Sequence, residues 1–192
     1  MTRLFVAVEV PDEVKDQLHT LCTGLRDARW TRDRQFHVTL RFLGEVEPPK
    51  ARALEEVLHG VRAEPFELAL SGVGLFPPRG KPKILWAGVA PREPLADLHH
   101  AVGRALRHAG VGPDERKFAA HVTLARLNGT PQHQLLDYIE RHRALRSEPF
   151  PVTGFTLFSS SLSREGAQHR AVAEYPLFGK HSPTAPRWDG LD

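Results

Sequence analysis

Arg3 to Val10 reads RLFVAVEV, a run rich in β-branched and aromatic residues that predicts a strand. Pro11-Asp12 then opens a stretch whose apolar residues, Val14, Leu18, Leu21 and Leu25, recur at helical spacing. The same order returns further on: Lys83 to Ala90 (KILWAGVA) predicts a strand, and after Pro91 a helical pattern runs through Leu95, Leu98, Val102 and Leu106. In the first half a strand over Phe36 to Leu43 follows, then a helix opened by Pro48 and carried by Ala51, Leu54, Val57 and Leu58, then a strand from Pro65 to Leu70. The second half answers with a strand over Phe118 to Leu127, a helix opened by Pro131 with Leu135, Leu136 and Ile139, and a strand from Pro149.

Corresponding points lie 80 to 84 positions apart, and Pro65-Phe66 with Pro149-Phe150, and Leu75-Phe76 with Leu157-Phe158, keep the same step. An internal duplication of a βαβαβ-type unit follows, too long and too few in copies for a solenoid. Two similar lobes about a pseudo-twofold axis are the natural packing. The predicted fold class is α+β, each lobe an antiparallel-rich sheet with helices and a cleft between the lobes. Residues 1–178 read as a single bilobal domain in which the lobes can exchange strands. A further strand is predicted from His169 to Tyr175, and the Pro-rich, polar stretch 179–192 reads as a flexible tail.

Each copy carries the same tetrapeptide on its strand, His37-Val38-Thr39-Leu40 and His121-Val122-Thr123-Leu124. A bare His-x-Thr arises by chance roughly 0.6 times in a chain of this content, and the full tetrapeptide only about 0.006 times. Two at matched points of a duplication are a strong signal. Residues i and i+2 of a strand share a face, so His and Thr look one way and Val and Leu anchor the other in a core. A twofold arrangement is expected to face His37 toward His121 and Thr39 toward Thr123 across a cleft. Two imidazoles with ordinary pKa near 6.5 can serve as base and acid at neutral pH, and two hydroxyls can donate to nonbridging oxygens. That set suits in-line cleavage of a phosphodiester.

Composition narrows the setting. With 41% hydrophobic and 26% charged positions in 192 residues, the chain can bury a sizeable core. The apolar run Leu4–Val8 is too short for a signal peptide or membrane span, so a cytoplasmic protein without a membrane partner is expected. Cys22 is the single cysteine, which leaves no disulfide and no thiolate cluster for zinc, and no carboxylate stands at the spacing of a His-Glu-x-x-His helix. No metal and no cofactor are expected. A net charge of +3 is mild support for an anionic ligand. Most of the other histidines among the 11 sit in polar, helix-like stretches and read as solvated.

The chain resembles the 2H phosphoesterase superfamily, specifically the bacterial and archaeal RNA 2',3'-cyclic phosphodiesterases also called 2'-5' RNA ligases. The resemblance runs from about Arg3 to Phe178 and includes RLFVAVEVP, HVTLRFLGEV, GLFPPRGKPKILWAGV, RKFAAHVTLARL and SSLSREGAQHRAVAEYPLF. It implies attack of water on an RNA 2',3'-cyclic phosphate without metal, leaving a 2'-phosphomonoester, with 2'-5' ligation as the reverse reaction. By motif position His37 is the acid toward the leaving 3'-oxygen and His121 the base, roles that sequence symmetry leaves interchangeable. Thr39 and Thr123 would hold the nonbridging oxygens.

Phe42 and Arg126 each follow their histidine by five positions; the resemblance puts Arg126 on the phosphate and Phe42 near a base. Strict alternation would turn both away from the histidines, so a bulge or twist is required. Arg41 has the parity to face the cleft and is a candidate RNA contact. Arg79, Lys81 and Lys83 form a basic loop that suits an RNA backbone. Trp30 is a candidate for stacking on a base, and Trp86, within an apolar run, reads as core. The expected partners are RNA with cyclic phosphate ends or small nucleotide analogues, and the chain is expected to be a monomer. Alternatives are a phosphodiesterase for small cyclic nucleotides or 2'-5' oligonucleotides, and a silent RNA-end-binding module. Retention of both His-Thr pairs argues against the silent module, because binding alone would more readily use Arg or Lys.

Overall fold

A computed structural model describes residues 1–32, 35–114, 117–163 and 166–178. The stretch 179–192, expected to be a tail, lies outside the described residues. Along the chain run β1 (Thr2–Glu9), α1 (Asp12–Thr20), β2 (Ala28–Trp30), β3 (His37–Val46), α2 (Pro48–Leu58), β4 (Phe66–Phe76) and β5 (Ile84–Ala90). These are followed by α3 (Glu93–His108), β6 (His121–Leu127), α4 (Gln132–His142), β7 (Phe150–Val152), β8 (Gly154–Ser163) and β9 (Gly166–Pro176). Hydrophobic patterning did not announce the short strand β2.

Local chemistry explains the helix starts. Pro48 and Pro49 occupy the first helical positions of α2, where the missing N–H costs nothing. In α3, Glu93 lies in the first turn and Arg107 and His108 in the last, complementing the helix dipole at both ends.

The strands form one antiparallel sheet in the order β7-β4-β5-β6-β3-β1-β8-β9, with β2 added to β6. β3 and β1 belong to the first repeat and β6 and β5 to the second. Each repeat also lends a strand to the other: β4 pairs with β5, and β8 pairs with β1. Leu18, Leu54, Leu58, Leu95, Leu98, Val102, Leu135 and Tyr138 from the four helices share one core with Leu4, Val6, Val38, Leu40, Val122 and Leu124 from the strands. The helices therefore cover one face of the sheet, and the other face carries a small separate cluster, Phe5, Ala7 and Phe158. Tyr138, fully buried, donates its hydroxyl to the Leu21 carbonyl oxygen at 2.5 Å and ties α4 to the end of α1.

Gly88 on β5 shows how tightly the central strands fit. A Cβ there would run into the backbone carbonyl oxygen of Ser71, which no rotamer change can relieve. Gly88→Ala is expected to lower stability by about 1–3 kcal/mol, read as a drop in the urea midpoint; an unchanged midpoint would contradict the close approach.

Candidate active site

One backbone contact joins the two halves of the sheet at its centre, where Val38 of β3 pairs with Val122 of β6. Both valines are fully buried on the helix side, so His37, Thr39, His121 and Thr123 share the opposite face. The antiparallel register around that pair sets His37 across from Thr123 and Thr39 across from His121. The two histidines come close enough across this face for their charges to interact. The pairing is crossed, and the two imidazoles stand on a diagonal roughly 7–8 Å apart at the backbone.

The two strands then break step in the same way. β1 skips Leu40 in its register with β3, and β5 skips Leu124 in its register with β6, each three residues past the histidine. Burial follows the same sequence in both copies, half-buried, buried, half-buried, buried, buried, exposed. Each extra residue is a bulge that inverts the alternation. Phe42 and Arg126 consequently emerge on the same face as the histidines, and Phe42 is 66% exposed.

For Arg41 the bulge has the opposite consequence. It turns Arg41 to the helix side, where the side chain is buried, donates through Nη2 to the Gly112 carbonyl oxygen at 2.6 Å, and lies 3.4 Å from the Asp114 carboxylate. Parity alone had directed Arg41 into the cleft, and the bulge overrides it.

Both imidazoles are held alike. His37 Nδ1 donates to the Gln35 carbonyl oxygen at 2.5 Å, and His121 Nδ1 to the Ala119 carbonyl oxygen at 2.6 Å, in each case two residues back along the chain. A carbonyl only accepts, so Nδ1 carries a proton in both rings, and in the neutral form the lone pair is on Nε2. Aromatic side chains wall each ring. Phe5 lies 5.0 Å and Phe158 6.3 Å from His37, centroid to centroid; Phe76 lies 5.0 Å and Trp86 6.5 Å from His121.

Trp86 is registered with Thr123 and therefore stands on the cleft side, not in the core where its apolar neighbours suggested. A Cβ on Gly74 would overlap the Trp86 indole, so the glycine makes room for the ring. Trp30 packs against the helix-side core, 6.1 Å from Tyr138. Arg79, Lys81 and Lys83 are exposed on the turn between β4 and β5.

A third histidine was not singled out in the sequence as part of this site. His169 of β9 stands edge-on to His37 at 5.5 Å and to Phe5 at 4.9 Å. Among the described residues, His169 Nδ1 and Trp86 Nε1 are buried without a hydrogen-bond partner, and they flank the two central histidines, one in each lobe. His169 was not legible from spacing, because β9 has no counterpart in the first repeat.

Burial pulls the His37 pKa down from 6.5 to about 4; the Gln35 carbonyl opposes the shift, and the nearby His169 and His121 add to it. Burial also lowers His121, opposed by the Ala119 carbonyl. Removing water from a cation outweighs the hydrogen bond that favours it. Both rings therefore rest neutral at pH 7, with Nε2 basic. Among the described residues, no three His, Cys, Asp or Glu side chains converge as a metal site, and no helix is long and apolar enough to cross a membrane.

The LigT like Phosphoesterase family matches residues 8–86 and again 89–168, one match on each repeat. The chain belongs to this family. An RNA 2',3'-cyclic phosphodiesterase of Archaeoglobus fulgidus is 31% identical over 85% of this chain and 94% of its own length, and one of Aeropyrum pernix is 34% identical over 74% and 82%. A crystal structure of a Thermus thermophilus protein superposes with a TM-score of 0.73 at 29% identity, covering 93% of this chain and 100% of that one. Escherichia coli LigT complexed with phosphate superposes with a TM-score of 0.68 at 25% identity, over 92% of this chain and 97% of its own.

The depressed His37 pKa has a thermodynamic consequence. Between pH 6.5 and 4 the unfolded chain protonates this ring while the folded chain does not, so stability falls as the pH drops through that window. At about 1.4 kcal/mol per pH unit the loss reaches roughly 3 kcal/mol. His37→Gln is expected to remove this part of the acid sensitivity in urea titrations at pH 7, 5.5 and 4. An identical pH dependence in the variant would mean that the imidazole is hydrated and titrates normally.

Proposed function

We propose that this chain hydrolyses the 2',3'-cyclic phosphate at RNA ends to a 2'-phosphomonoester. The observation that carries the reading is the pair of matched strands, which present two Nδ1-anchored imidazoles and two threonines to one cleft. The resemblance to curated RNA 2',3'-cyclic phosphodiesterases over most of the chain supplies the substrate class.

In the proposed step, water attacks phosphorus on the side opposite the 3'-oxygen. His121 Nε2 takes the water's proton as the P–O bond forms. His37, protonated once the anionic substrate is beside it, gives its Nε2 proton to the 3'-oxygen as that P–O bond breaks. The 2'-ester bond survives, and the net addition is one water. An anion between two half-buried imidazoles raises their proton affinity, which offsets the desolvation that keeps them neutral in the free protein. Thr39 and Thr123 donate hydrogen bonds to the nonbridging oxygens and Arg126 offsets their charge. Phe42, exposed at the equivalent position in the other lobe, offers a face for the terminal base. The reverse, 2'-5' ligation, uses the same groups with acid and base exchanged.

The test is turnover of a dinucleotide ending in a 2',3'-cyclic phosphate, with EDTA present and the product phosphate located by NMR. The wild type is expected to give the 2'-phosphate. His37→Ala and His121→Ala should each lose activity by about a thousandfold, and Thr39→Val and Thr123→Val on the order of a hundredfold. A wild type that leaves the cyclic phosphate intact would overturn the reading in favour of a binding module.

A further inference from the structure

The short strand β2 places Arg29 directly across from Arg126 of β6. Directly paired residues share a face, so both guanidiniums stand on the cleft side; both are exposed, while Ala28 and Trp30 on either side of Arg29 pack against the helix-side core. Two like charges opposite one another on antiparallel strands destabilise the pairing. Nothing among the described residues relieves them: neither arginine makes an ion pair, and Asp27, two residues before Arg29, makes none with either. A cross-strand arginine pair without a counter-ion among the described residues points to an anion supplied from outside.

Its surroundings indicate which anion. Ile84 flanks Arg126 on the other side, and the backbone N–H of Leu127 donates to the Lys83 carbonyl oxygen, so the exposed Arg79-Lys81-Lys83 turn continues the positive surface from the pair. The pair lies about 10 Å beyond Thr123 along β6, at roughly 3.3 Å per residue. That places it one nucleotide step from the histidines when the reach of an arginine side chain is included. At the twofold-equivalent position of the other lobe the exposed residue is Phe42, an aromatic. One end of the cleft therefore suits a base and the other a phosphate.

We propose that Arg29 and Arg126 together hold the internucleotide phosphate on the 5' side of the terminal nucleotide, and that the basic turn between β4 and β5 carries the strand onward. This rests on the phosphodiesterase reading above and adds to it a preference for RNA strands over cyclic mononucleotides. Arg29 is the specificity-determining member, because the proposed mechanism also uses Arg126 to offset the charge of the reacting phosphate.

The experiment compares kcat/KM for a nucleoside 2',3'-cyclic phosphate with kcat/KM for a dinucleotide bearing the same cyclic end, in wild type, Arg29→Ala and Arg29→Lys. The ratio of dinucleotide to mononucleotide is expected to fall about tenfold in Arg29→Ala and to be largely restored in Arg29→Lys. In parallel, the slope of log affinity against log salt for a non-hydrolysable oligonucleotide should become shallower by about 0.7 in Arg29→Ala, the value for one phosphate contact on a single strand. If the wild type hydrolyses both substrates and neither ratio nor slope moves in Arg29→Ala, the inference fails while the enzyme reading stands. Hydrolysis of neither substrate by the wild type would overturn both.

Discussion

The antiparallel pairing of Val38 with Val122 fixes where everything else in the cleft can stand. Being at the centre of the sheet, it brings the two strands that carry the His-Thr pairs into contact near their starts. Because each strand is pleated, the residues immediately flanking it alternate with it: valines into the core, His37 and Thr39 with His121 and Thr123 onto the open face. A slip of one residue in either strand would turn that strand's histidine and threonine into the core and its valine and leucine out. The buried apolar anchors Val38, Leu40, Val122 and Leu124, none more than 2% exposed, are what make that slip costly.

The matched bulges at Leu40 and Leu124 extend the site beyond what a regular strand allows. Each lets three consecutive positions do different work: a leucine in the core, a second core residue, then an outward residue on the histidine's face. Duplication preserved the bulge but not the outward residue, which is Phe42 in one lobe and Arg126 in the other. A twofold frame thereby holds an asymmetric ligand, one end aromatic and the other cationic. The aromatic walls act on a different quantity, proton affinity. Phe5, Phe158 and His169 around one imidazole, and Phe76 and Trp86 around the other, exclude water from bases whose Nδ1 is already committed to a carbonyl. Burial outweighs that hydrogen bond at both rings, and at His37 the repulsion from neighbouring histidines adds to it.

Much of this was legible in the sequence because it depends on period and repetition. The alternation in HVTL assigns faces, the 80- to 84-residue step assigns the twofold, and the proline-led helix starts fall where they were expected. What stayed hidden depends on pairing partners. Whether a strand skips a residue is decided by its neighbour's register, so Arg41 and Phe42 could not be sorted by parity. Trp86 looked like core because β5 is apolar on both faces, and the clue to its true place is Gly74, far off in sequence. The unbroken apolar run Leu4–Val8 did carry a signal: a strand apolar on both faces must be covered on both, and on the cleft side Phe5 and Ala7 are buried together with Phe158 of β8. His169 and Arg29 come from elements outside the repeated pattern, where periodicity offers nothing.

The central claim is that both imidazoles serve one phosphate, and the most direct measurement is a histidine-labelled NMR titration with a nucleoside 2'-monophosphate, the proposed product. The Nε2 signals of His37 and His121 are expected to shift together, with a single dissociation constant, toward the protonated form, while the exposed His133 on α4 stays in place. Movement of one ring alone, or two rings with different dissociation constants, would contradict a shared phosphate.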